Sequence, residues 1–215
     1  MAPPAPHRAE REALCSLMLA LGPDAPTLCQ GWSTTDLAVH LVIRERKLHA
    51  SPGIVFGGPF EVVLRRATDR MKLQPYPELV ATLESGPPPW LRPFDHAMNL
   101  MEFYVHHEDV RRGNGDTTPR PEQETAQLDD ELWKLLRRSG RLLTRKLGPV
   151  GLTLRRSDRP DQTELSARKG LPAATMSGRP GELVLYLMGR QKAAHIKLEG
   201  PPEAIDAVTS ASFGI

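Results

Sequence analysis

MEFYVHHEDVRRG, residues 101 to 113, gathers two histidines, three carboxylates and two arginines into thirteen positions of an otherwise apolar stretch. Such a run is either a solvated face or a helix that points a few ionisable groups inward. Successive residues of a helix advance by about 100°, so positions three, four and seven apart share a face. Glu102, His106 and Asp109 then fall within roughly 60° of one another, and Asn99 joins them one turn earlier. Met98, Met101 and Val105 flank this stripe on one side, Phe103 and Val110 on the other. His107, Glu108, Arg111 and Arg112 project to the remaining side, which the periodicity assigns to solvent. Glu102 and His106 are thus placed in the centre of the apolar face, where an unpartnered charge is strongly unfavourable. A core histidine bonded to a neighbouring glutamate would satisfy the pattern, and so would a bound ion. A third inward donor elsewhere decides between them.

The bulk properties narrow the classes. At 215 residues the chain has room for one large domain or two small ones with a real core. With 28 basic and 26 acidic residues the net charge is +2, so no global field draws nucleic acid or a membrane surface. Aromatics make up only 5% of the chain, which argues against base-stacking platforms. Cys15 and Cys29 are too few and too far apart for a disulfide framework or a CxxC motif, which predicts a reduced, cytoplasmic setting. The apolar run near the N-terminus follows acidic residues and lacks a small-residue cleavage site, so it reads as a first helix and not a signal peptide. Nothing approaches the roughly 20 apolar residues of a membrane span.

Around the quoted stretch, helical periodicity over residues 7 to 21 stops at Gly22-Pro23. Ser33, with Asp36 three residues on, starts a second helix by a capping-box pattern, and TDLAVHLVIRERKL carries it to about residue 48. Pro59 opens a third helix to residue 71 or 72. YPELVATLE is a short fourth, closed by Gly86-Pro87-Pro88-Pro89. Pro93 opens the helix that ends at Gly113-Asn114-Gly115, and residues 121 to 147 form the last long one, with Gly140 a candidate kink. Beyond Gly148-Pro149 the texture changes. GLTLRRSD, TELSAR and AHIKLEG alternate as strands do. SGRPGELVLYLMGR gives a turn and a helix, and PPEAIDAVTS a closing helix. The expected class is α+β, with a helical bundle over 1–148 and a small mixed α/β domain over 149–215.

The second helix holds one histidine, His40, in the apolar centre LAVHLVI. A lone histidine there is ordinarily a satisfied core residue. Together with Glu102 and His106, however, it completes a set of two imidazoles and one carboxylate from two helices. Three protein ligands and an open position suit a catalytic divalent metal better than a structural one, which closes its shell with four.

GWSTTDLAVHLVIRER together with NLMEFYVHHEDVRRG resembles the DinB-like metalloproteins of the mycothiol-dependent maleylpyruvate isomerase family, common in actinobacteria. SGRPGELVLYLMGRQKAAHIKLEGPPEAI is similar to that family's small C-terminal domain, which has a sterol-carrier-protein-like fold. The most specific parts are Trp32 to Arg46 and Glu102-x-x-x-His106-His107-x-Asp109. The resemblance implies a DinB-like four-helix bundle in which His40, Glu102 and His106 bind a divalent metal, usually zinc. It also implies a catalytic arginine in the C-terminal domain, for which Arg190 in Leu-Met-Gly-Arg is the match and Arg179 the alternative. Mycothiol is the implied thiol cofactor or co-substrate, and a small electrophile the implied substrate, in S-transfer or cis-trans isomerisation. No nucleic acid or membrane partner is expected, and the chain would be a monomer or homodimer.

A cation lowers the pKa of a thiol enough to deprotonate it at neutral pH. Neither cysteine has a counterpart at the family's site, so an external thiol is expected in place of an internal nucleophile. Hydrolysis through a bound hydroxide is the competing chemistry, and a non-catalytic metal- or lipid-binding module the competing class. His107 faces about 100° away from His106, which suits helix packing or support of a ligand better than general-base work. Asp109 could accept the second N–H of a ligating histidine, or pair with Arg112 or Arg44. Arg44 and Arg46 could hold an anionic substrate or simply form a solvated helix end. Trp32 and Trp90 read as core or staple residues.

Overall fold

The computed structural model describes residues 4–46, 61–159 and 164–214. The start of the third helix at Pro59, and the end of the second helix beyond Arg46, lie outside them. The class is α+β, and the chain divides into two compact units, residues 1–117 and 118–215. The division falls before the long helix that the sequence reading grouped with the preceding ones, because that helix packs on the sheet and helix that follow it. No helix among the described residues is long and apolar enough to cross a membrane.

The first unit contains α1 (Pro6–Leu21), α2 (Thr34–Arg46), α3 (Glu61–Lys72), α4 (Tyr76–Glu84), a 3-10 turn (Arg92–Phe94) and α5 (Asp95–Gly113). α1 packs along α5 and α4, while α2 packs against α3 and α4. Leu14, Met18, Leu37, Leu41, Ile43, Leu79, Leu83 and Phe103 are fully buried where these faces meet. Each such side chain contributes roughly 1.5–3 kcal/mol by leaving water.

α5 departs from the expected one-sided pattern. His107, Glu108 and Arg112, assigned to solvent by periodicity, are buried as well. His107 Nδ1 lies 3.0 Å from Glu10 Oε2 on α1. Glu108 accepts bonds from Arg111 Nη2 at 2.7 Å and Arg112 Nε at 2.6 Å. The helix is therefore enclosed on both flanks, and its outer charges pair with each other or with α1. His107 has the helix-packing role.

The second unit contains α6 (Glu122–Leu143), β1 (Gly151–Arg156), β2 (Glu164–Arg168), β3 (Ala173–Gly178), α7 (Pro180–Leu187), β4 (Lys197–Glu199) and α8 (Pro202–Ser210). The sheet order is β2-β1-β3-β4. β1 pairs antiparallel with β2 and parallel with β3, Leu152 standing opposite Ala174 and Leu154 opposite Met176. The alternation of β1, β2 and β4 was visible in the sequence, whereas the central strand β3 was not. Its residues, Ala-Ala-Thr-Met-Ser-Gly, are mostly small and present only one large apolar side chain, so no period-2 signal stands out. α7 is buried along its whole length, as a helix apolar all round must be. Gly140 of α6 is a point of close approach to the sheet, since an added Cβ would lie 3.5 Å from the Ala167 side chain.

The start of α7 is tied to α6 by one buried carboxylate. Asp129 Oδ1 accepts the Gly181 N–H at 2.9 Å, and its Oδ2 accepts Arg179 Nη2 at 2.7 Å and Thr125 Oγ1 at 3.0 Å. Arg179 also donates to Thr125 Oγ1 and, at 2.6 Å, to the Arg120 carbonyl. These partners commit Arg179 to holding the fold. Arg179→Ala would leave the Asp129 charge buried without its guanidinium and is expected to cost roughly 2–4 kcal/mol. Urea unfolding of the two proteins measures this directly, and a loss below about 0.5 kcal/mol would show that Arg179 is not structural.

Candidate metal centre

α2 is fixed where the sequence expected it. Asp36 Oδ2 accepts the Ser33 N–H at 3.0 Å and the Ser33 hydroxyl at 2.8 Å, while Ser33 Oγ accepts the Asp36 N–H at 3.2 Å. This reciprocal cap satisfies amides that a helix start leaves bare. It sets the phase of the turn that carries His40, whose neighbours Leu37, Leu41 and Ile43 are buried. α5 brings Glu102 and His106 to the same place from one turn apart, with His106 Nε2 at 3.4 Å from Glu102 Oε2.

One donor atom from each of His40, Glu102 and His106 lies within 4.8 Å of the others. The two imidazoles meet edge to face, with centroids 5.4 Å apart at 72°. Trp32 lies against His40 with centroids 5.1 Å apart and rings tilted by 52°. Trp32 and Trp90 are both exposed, so neither is a core residue. Around a tetrahedral ion with bonds of about 2.1 Å, ligand atoms stand about 3.4 Å apart. The donor set fits that requirement within small side-chain rotations, and its N,N,O chemistry suits a borderline divalent cation.

The surrounding groups hold the set in a defined charge state. Asp109, fully buried, is 2.9 Å through Oδ2 from His106 Nδ1. Arg44 reaches Glu102 Oε1 with Nη2 at 3.5 Å and donates through Nη1 to Asn99 Oδ1 at 2.5 Å. Asp109 thus supports His106. Arg46 turns away and donates from Nε to the Gly86 carbonyl at 3.1 Å. Burial disfavours the Glu102 charge, but the His106 bond and the Arg44 guanidinium outweigh it and bring the carboxyl down to about 2. Burial likewise disfavours a charged His106, yet its bonds to Asp109, Cys29 and Glu102 prevail and raise it to about 10.

Cys29 is the residue that sequence reasoning kept out of the centre. Its Sγ–H donates to Asp109 Oδ2 at 3.2 Å, so a thiol of the chain itself adjoins the site. Motif spacing could not reveal this, because residue 29 sits in the loop before α2 and meets α5 only in the folded unit. Cys15 does stay apart. Its thiol lies 3.9 Å from the Val80 carbonyl, and burial pushes it up to about 12. Arg190 lies in the second unit, where Nη1 donates to the Met188 carbonyl at 2.6 Å.

No family model matches the chain, and no curated protein does. Among solved structures, a crystal structure of a mutant mycothiol-dependent maleylpyruvate isomerase is similar at 18% identity, covering 91% of this chain and 92% of the other, with a TM-score of 0.40. At that level the chemistry has to be argued from this chain's own residues.

In the metal-free protein the His106 and Glu102 ionisations each contribute to how stability depends on pH. The folded His106 value, about 10, lies above the ordinary 6.5, so its contribution is complete below pH 6.5 and lost as pH rises through 10. The folded Glu102 value, about 2, lies below the ordinary 4.5, so its contribution is complete above pH 4.5 and lost as pH falls through 2. Between those limits the pair stabilises fully. Thermal midpoints in chelator should decline above neutrality more steeply for the native protein than for His106→Gln. Parallel curves would show that His106 is not held as an imidazolium.

Proposed function

We propose that His40, Glu102 and His106 bind one divalent cation, zinc being the family's usual ion, and that the chain is a metal-dependent enzyme using a low-molecular-weight thiol. The observation that supports this is the convergence of those three donors, from two helices, within 4.8 Å. The sequence resemblance makes the bundle DinB-like, names mycothiol as the thiol, and makes the reaction S-transfer to, or cis-trans isomerisation of, a small electrophile. A divalent cation held there would supply Lewis acidity sufficient to deprotonate a thiol or water at neutral pH.

The chain's own residues have separable tasks. Asp109 accepts the Nδ1 proton of His106 and so leaves Nε2 free to ligate. Arg44 orients Glu102 through Oε1, leaving Oε2 on the His106 side. Trp32 fixes the plane of the His40 ring. Three protein ligands leave room for one further donor. In the second unit Arg190 is the proposed catalytic arginine, on the strength of the resemblance alone.

Titrated with manganese(II), the protein should take up one equivalent. His40→Ala and Glu102→Gln should each abolish this uptake, whereas Arg190→Ala should leave it intact and lower only turnover. Full uptake by both ligand variants would sink the metal assignment.

The thiol is tested separately, in cobalt-loaded Cys29→Ser, so that any sulfur signal comes from added thiol. Mycothiol should produce a sulfur-to-cobalt charge-transfer band at lower concentration than glutathione. If no thiol perturbs the cobalt spectrum, thiol chemistry is wrong and hydrolysis or a non-catalytic role takes its place.

A further inference from the structure

The Nδ1 side of His106 carries a second set of donors, of which the centre described above takes only the hydrogen bond between His106 and Asp109. Cys29 Sγ, His106 and Asp109 each offer a ligand atom within 4.8 Å of the other two. Asp109 and His106 are buried and Cys29 is half-buried. Asp109 Oδ2 lies 3.2 Å from Cys29 Sγ and 2.9 Å from His106 Nδ1. Ligand atoms around a tetrahedral zinc, with bonds of about 2.0–2.3 Å, stand about 3.3–3.8 Å apart. Little movement separates the hydrogen-bonded cluster from a coordinating one.

The loop that presents Cys29 is held firmly against α5. The Leu28 N–H donates to the Asp109 carbonyl at 3.0 Å, and Asn114 Nδ2 donates to the Pro26 carbonyl at 2.9 Å. Thr27 Oγ1 accepts the Cys29 N–H at 3.2 Å and donates to the Trp32 carbonyl at 3.0 Å. Gly113 permits this approach, since a Cβ there would stand 2.8 Å from Thr27 Cα. The thiol is therefore positioned by backbone contacts from both chain segments, not by a freely rotating loop.

We propose that Cys29, Asp109 and Nδ1 of His106 form a second cation subsite, beside the first, for a thiophilic divalent metal such as cadmium or zinc. The two subsites differ in chemistry. The first offers two imidazoles and one carboxylate, whereas the second offers a thiolate, which selects softer ions. Binding replaces two protons, the S–H of Cys29 and the Nδ1–H of His106, both released to solvent. When the first subsite is empty, His106 keeps its other proton on Nε2. One thiolate, one carboxylate and one neutral imidazole then carry a charge of −2 that balances the cation. The subsite does not require the first to be filled, and its test is independent of manganese uptake.

Cadmium is the probe, followed by its ultraviolet thiolate-to-metal band and by cadmium NMR. His40→Ala disables the first subsite while leaving all three donors of the second. This variant should still develop the thiolate band with one equivalent of cadmium, at an affinity within about threefold of the native protein. Cys29→Ser should lose the band and bind cadmium there at least about 100-fold more weakly. If His40→Ala fails to fold, judged by circular dichroism, Glu102→Gln serves the same purpose. A band that survives Cys29→Ser would come from Cys15 and would overturn the proposal. So would a band present in the native protein and absent from both first-subsite variants, because Cys29 would then ligate a single shared ion. The complete absence of a thiolate band would overturn it as well.

Discussion

A charge buried alone costs several kcal/mol, and a protein interior relieves that cost only by burying a partner beside it. In the first unit this constraint passes from one side chain to the next. Arg11 of α1 donates through Nη2 to Glu45 at 2.5 Å and to Asp95 at 2.9 Å. Asn99 joins the same two carboxylates at 2.6 and 2.7 Å, then accepts Arg44, which reaches Glu102. From Glu102 the chain runs through His106 to Asp109 and ends on the Cys29 thiol. Positive and negative groups alternate along the buried side of α5, so each charge has a partner beside it. The candidate metal centre is one segment of that sequence of pairs, and its geometry is inherited from the rest.

Such an arrangement explains why α5 can be central without being markedly amphipathic. Arg11 adds to the effect by stacking its guanidinium over Phe103, 4.5 Å from the ring centroid. On the opposite flank the Glu10–His107 contact and the Glu108 pairs with Arg111 and Arg112 do the same work with shorter connections. A helix that satisfies its charges internally needs no wet face. Helical periodicity divides residues into inward and outward sets, and it has no means of marking a helix enclosed on both sides.

That limit separates what was legible in the sequence from what was not. The capping pair Ser33 and Asp36 depends on residues three apart, and the structure reproduces it bond for bond. Glu102 and His106 share a face because they are one turn apart, and His40 stands out as a single imidazole among aliphatic neighbours. Local signals of this kind survive folding unchanged. Cys29 carried no such signal, since its meeting with Asp109 spans 80 positions. β3 was invisible because its pairing with β1 is parallel and reached by a crossover, and because small residues suffice where strands flank it on both sides. The long helix α6 looked like a continuation of the helices before it. Only its partners, the strand at Ala167 and the buried Asp129–Arg179 contact, assign it to the second unit.

The alternation of charge also fixes the alignment of α5 against α2. Asn99 occupies a point where two carboxylates and a guanidinium converge, and an amide can both donate and accept there. Sliding α5 by one turn in either direction would bring Asp95 or Phe103 to that point. The first would crowd another carboxylate against Glu45, and the second would set an apolar ring where Glu45 and Arg44 now bond to an amide. Apolar side chains alone would tolerate such a slip, because one leucine packs much like another. The polar sequence does not, and so it encodes the vernier position of a helix whose job is to bring two donors to a third.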